Sequence, residues 1–150
     1  MLRAEISQIC SQNNISNSLF YEVGKFEWSE IEKKFYSTFC NLKNAPSLPR
    51  WLWTDFKLPF HHLDITMPQN SLDKFVNPNE LVWFWVSENT DKFWLYEGKI
   101  KEIMLIINES CYIDELYIIS KKYEWLICLN HHDTLIVVGQ KLIDIAKNRF

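Results

Sequence analysis

Glycine is scarce in this chain, three residues in 150. No G-x-G and no G-K-[ST] occurs, which excludes the glycine-rich phosphate loops and dinucleotide fingerprints whose backbones approach a ligand closely. The four cysteines, Cys10, Cys40, Cys111 and Cys128, include no C-x-x-C pair, so no zinc ribbon or thioredoxin-type motif is encoded. Cys40 and Cys128 sit within apolar stretches and read as small buried hydrophobes of a reducing compartment. No apolar run approaches the roughly 18 residues of a membrane span. Met1 to Glu5 opens no apolar region of a secretory signal. The expected location is the cytoplasm.

Concentrated positive charge is missing as well. The only basic clusters are the pairs Lys33-Lys34 and Lys121-Lys122, and the net charge is −3. A nucleic-acid binder needs a basic patch or stripe, so direct nucleic-acid binding is not expected. The two halves up to and after Phe75 carry equal basic charge, and the excess acid lies wholly in the second half. A mildly acidic face suits a basic partner. Aromatics are abundant instead: seven Trp, six Tyr and ten Phe. They bury much area per residue and also serve as interface anchors.

The densest pattern runs from Tyr117 to Gly139. Leu116–Ile119, Trp125–Leu129 and Leu135–Val138 are short β-branched or aromatic runs bounded by polar residues, which predicts consecutive strands. Upstream, Leu81–Val86 is apolar on both faces and reads as a central strand. Phe93–Tyr96 is its return partner across a loop where Asn89 can adopt a left-handed conformation. Five largely antiparallel strands are expected, near 81–86, 92–96, 115–120, 125–130 and 134–138.

Helices are expected at Leu2–Cys10, at 29–42, over Lys99–Ser110 and at 140–149. In the second, Ser29 and Glu32 form an S-E-I-E capping box, followed by a stripe of Ile31, Phe35, Phe39 and Leu42. The last helix turns Leu142, Ile143, Ala146 and Phe150 inward. Pro46 and Pro49 favour an extended connection into Trp51-Leu52-Trp53, whose two indoles then share one side. Pro59 and Pro68 bracket an irregular or edge segment, F-H-H-L-D-I-T-M. The fold class is α+β, with one domain over residues 1–150.

The four histidines occur in two pairs with an aspartate close by, His61-His62-Leu63-Asp64 and His131-His132-Asp133. Imidazole and carboxylate suit zinc or another transition metal. Adjacent residues point apart, however, and N-H-H-D also reads as an inter-strand loop whose Asn130 and Asp133 supply turn hydrogen bonds. A Cys128–His131–Asp133 nucleophile is rejected because Cys128 reads as core. No catalytic, cofactor-binding or metal residue is therefore assigned.

The run S-K-K-Y-E-W-L-I-C-L-N-H-H-D-T-L-I-V-V-G, Ser120 to Gly139, resembles the C-terminal signature of a family of small, functionally uncharacterised bacterial proteins. V-W-F-W-V and K-F-W-L-Y resemble the same family, and the likeness covers roughly the last half of the chain. In size, compartment and composition the chain is similar to immunity proteins of bacterial toxin systems, including contact-dependent growth inhibition. The likeness implies a protein without catalytic residues that blocks a cognate, nuclease-type toxin domain, with no membrane partner. Trp51 and Trp53 are the expected anchors. Glu88, Asp91, Glu109, Asp114 and Glu115 are the expected acidic patch, with His131, His132 and Asp133 in a partner-facing loop. The alternatives are a metal-dependent hydrolase using the two histidine pairs, or an intracellular interaction module unconnected with toxins.

Overall fold

A computed structural model describes residues 1–41, 52–89 and 92–150. Seven strands form one antiparallel sheet in the order β1-β4-β3-β5-β6-β7-β2. The strands are β1 (Phe20–Glu22), β2 (Phe60–Leu63), β3 (Leu81–Glu88), β4 (Lys92–Lys99), β5 (Glu115–Ser120), β6 (Leu126–Leu129) and β7 (Leu135–Val138). The helices are α1 (Leu2–Gln12), α2 (Lys25–Phe39), α3 (Leu72–Phe75), α4 (Ile100–Glu109) and α5 (Gln140–Arg149). The α+β class holds, and the five expected strands form the middle of the sheet.

The two additional strands are its edges. Among the described residues β1 pairs only with β4, and β2 only with β7. Each is three or four residues long, too short for a period-two pattern to declare itself. The segment between Pro59 and Pro68 does supply an edge, as its proline bracketing suggests.

Side chains alternate across the sheet, and both faces are dry. Val82, Phe84, Val86, Ile118, Ile127 and Val137 form one face, covered by α1, α3, α4 and α5. Trp83, Trp85, Tyr117, Cys128, Ile136 and Val138 form the other, packed against Phe35 and Phe39 of α2. The continuous apolar runs of β3 and β5 follow from this double cover. α4 carries the chain from β4 to β5 past the intervening β3, and its buried Ile100, Ile103 and Ile106 face the first side. No helix among the described residues is long and apolar enough to cross a membrane.

α2 starts four residues before Ser29. Its N-cap is Gly24, and no side chain caps it. The capping-box pattern therefore lies within the helix, and Glu32 binds elsewhere. Phe35 and Phe39 are buried as the stripe requires, while Leu42 lies outside the described residues. Leu52–Thr54 is a 3-10 turn rather than an extended segment. Leu142, Ile143 and Ala146 are buried, but Phe150 stays at the surface, its ring stacked 5.4 Å from Phe75. Asn89 has φ +50°, the left-handed geometry its hairpin position calls for. Gly139 has φ +104°, and a Cβ there would meet the Glu124 carbonyl at 2.9 Å, so the turn from β7 into α5 requires glycine.

Candidate functional site

The strand register gathers the chemistry-bearing residues at one end of the sheet. Ser87 of β3 pairs with Glu115 of β5, and Leu116 pairs with Leu129, next to the β6–β7 loop. That loop is a tight surface connection. Asn130 Oδ1 accepts from the backbone N–H of His132 (2.9 Å) and of Thr134 (3.1 Å), and Asp133 takes φ +58°. Asn130 is buried, whereas His132 and Asp133 are exposed.

Glu115 is the centre of this corner, and its side chain is 1% exposed. Oε1 accepts from Trp53 Nε1 at 2.9 Å and lies 2.5 Å from His131 Nδ1. Oε2 lies 3.4 Å from the Tyr117 hydroxyl. The Trp53 ring meets both histidines edge-on, at 6.1 and 6.2 Å. A buried carboxyl group is tolerable only when donors surround it, and these donors come from three separate segments. Glu115 is therefore an internal anchor and not part of an acidic rim. Its position at the start of a strand beside a polar loop is what suggests a surface site in the sequence.

Of the other expected residues, Glu88 accepts from the N-terminal ammonium (3.3 Å) and the Leu2 N–H (3.1 Å). The Leu2 bond is the main cause of its lowered carboxylate pKa. Glu109 accepts from Asn13 Nδ2 at 3.0 Å and stays exposed. Asp114 is half-buried. Trp51 and Asp91 lie outside the described residues. Trp53 is half-buried against Glu115 rather than presented as an anchor.

The nucleophile and metal arrangements do not assemble. Cys128 is fully buried, and burial pushes its thiol pKa well up, which leaves little thiolate. His61 and His62 lie on the edge strand β2. Among the described residues no group of three or more His, Cys, Asp or Glu side chains is placed to hold a metal ion.

Tyr117 connects the corner to a second feature, an open cleft of about 780 Å³ between α2 and β4. Its ring lies 5.3 Å from Trp85 and 6.4 Å from Phe93, and both of those line the cleft together with Trp28, Glu32 and Tyr36. Trp85 Nε1 donates to Glu32 Oε2 at 2.6 Å. Burial raises the Glu32 carboxyl pKa, with the Trp85 bond opposing, and burial pushes the Tyr36 phenol up to about 12. On the first turn of α2, Phe26 is 101% and Trp28 37% exposed.

The cleft is not evident from the sequence, because a helix that begins at Ser29 leaves out Phe26 and Trp28. With α2 starting at Lys25, Trp28 falls seven residues before Phe35 on the buried stripe, and Phe26 falls off it. An aromatic off the stripe in a first turn was the available signal.

A family model, described as a family of unknown function (DUF6756), matches residues 1–149. No curated protein matches the chain, and no solved structure does. The chain belongs to the DUF6756 family.

Proposed function

We propose that this protein is an immunity protein, a stoichiometric binder that neutralises a cognate bacterial toxin domain in the cytoplasm by covering its active or substrate-binding surface. The observation that carries this reading is the exposure of Trp28, which lines the aromatic cleft, and of Phe26 on the same first turn of α2. Exposed aromatics beside a concave apolar surface are the usual anchors of a protein interface. They replace Trp51 and Trp53 as the leading anchor pair.

Two further features support it. The groups with chemical potential at the sheet end are engaged internally, Glu115 by Trp53 and His131 and Cys128 by burial. Glu109 and Asp133 remain exposed there, and acidic groups at a rim speed encounter with a basic, nuclease-type partner.

The test is protection in cells. The chain is co-expressed with the product of the reading frame directly upstream, which this reading expects to carry the toxin domain. Growth is expected with the parent and not with Phe26→Ala/Trp28→Ala. Protection by the double variant, or no protection by the parent, contradicts the reading. The hydrolase alternative predicts stoichiometric metal in untagged protein, lost in His131→Ala.

A further inference from the structure

A second cavity, of about 640 Å³, lies on the other face of the sheet, beneath α1 and against β1 and β4. Ile6, Ile15 and Phe20 give it apolar walls, and Arg3 and Lys92 stand at its rim. Two of its lining side chains are incomplete. The Tyr96 hydroxyl and Trp94 Nε1 are buried and have no hydrogen-bond partner among the described residues. Tyr96 is 4% exposed and is wedged in place by Phe20, whose ring stacks at 4.9 Å.

An unsatisfied buried donor costs free energy, and native proteins leave few of them. Two beside one cavity point to an acceptor supplied from outside. The indole of Trp94 is N–H donor only, so the missing group must accept. The cations define its charge. Arg3 Cζ lies 5.8 Å and Lys92 Nζ 4.6 Å from the Trp94 ring centroid. Glu22 opposes them, but it is held by Arg3 Nε at 2.8 and 3.0 Å. The N-terminal ammonium of Met1, also at the cavity, is tied to Glu88 at 3.3 Å.

We infer that this cavity is a binding site for a small amphipathic carboxylate. Its apolar body lies against Ile6, Ile15 and Phe20. Its carboxylate accepts from Trp94 Nε1 and the Tyr96 hydroxyl between Arg3 and Lys92. The cavity adjoins the α2 cleft, because Arg3, Glu22, Lys92 and Trp94 line both, but the inference does not rest on the toxin-binding reading.

The test follows the seven tryptophan indole N–H resonances by 15N NMR, with Trp94 assigned by its loss in Trp94→Phe. Phenylacetate and hexanoate are the probes, and phenylacetamide is the neutral control. Both carboxylates are expected to move the Trp94 resonance saturably, with the amide at least about tenfold weaker. Arg3→Gln/Lys92→Gln weakens the carboxylates to the level of the amide. Tyr96→Phe weakens them while leaving thermal stability unchanged or higher, because it removes a hydroxyl that has no partner. Absence of a Trp94 response to either carboxylate overturns the inference. So does an equal response to the amide, an unchanged affinity in the charge variant, or a loss of stability in Tyr96→Phe.

Discussion

Trp85 Nε1 donates to Glu32 at 2.6 Å, and this bond joins the buried side of α2 to the middle of the sheet. It also fixes one wall of the aromatic cleft. Glu32 keeps its proton to higher pH in the folded chain than the ordinary carboxylate value of 4.5, chiefly because it is buried. The folded state then binds more protons than the unfolded state between those two values, so stability falls as pH rises through that window.

Glu32→Gln removes the ionisation and keeps an acceptor for the indole. Urea unfolding at a series of pH values checks this. The variant and the parent should match below pH 4.5. A gap in favour of Glu32→Gln should open as pH rises through the folded value. A gap that does not change with pH contradicts the account.

Glu115→Ala strands the Trp53 and His131 donors in the corner. The expected loss is about 3 kcal/mol, in the range for breaking a buried polar network. Glu115→Gln keeps an acceptor and should cost less. Equal losses in chemical unfolding would show that packing, not hydrogen bonding, holds the corner.

The two histidines of the β6–β7 loop should separate. His131→Asn breaks the contact with Glu115 and should cost about 1–3 kcal/mol. His132→Asn, at an exposed position, should stay within about 0.5 kcal/mol of the parent. The double variant still folds, because its cost remains below the stability of an ordinary domain. Unfolding curves of the three variants decide the order.

Thiol labelling should follow burial. Cys111 is exposed and should react first in the native protein. The Cys40 thiol is pushed up to about 12 and the Cys128 thiol well up, both chiefly by burial, so these two should react only on unfolding. Fast native labelling of Cys128 would revive it as a candidate nucleophile.

The central strands were legible because β3, β5, β6 and β7 are apolar on both faces and bounded by turn residues. α4 was legible too, from Ile103, Ile106 and Ile107 at helical spacing. The edge strands were not, since pairing with a neighbour far along the chain, rather than local pattern, makes Phe20–Glu22 a strand. Ser29 misled because a capping box is a local motif, and Gly24 begins the helix earlier by backbone geometry alone. The Glu115 corner was half legible. His131, His132 and Asp133 were identified as a surface loop, but the Trp53 partner lies 62 residues from Glu115, and no spacing rule joins them. The α2 cleft was half legible: Trp28 and Tyr36 share one face of α2 once the helix starts at Lys25, but only tertiary packing brings Phe93 to them.

Direct binding tests the central claim most closely. The purified chain is titrated calorimetrically with the catalytically inactivated product of the reading frame directly upstream, which the account expects to be the toxin domain, at low and high salt. The account predicts a one-to-one complex. Phe26→Ala/Trp28→Ala should weaken it by at least about thirtyfold, the equivalent of about 2 kcal/mol for losing a buried anchor. Salt should slow association more than it speeds dissociation. No association, or unchanged affinity in the double variant, would contradict the account.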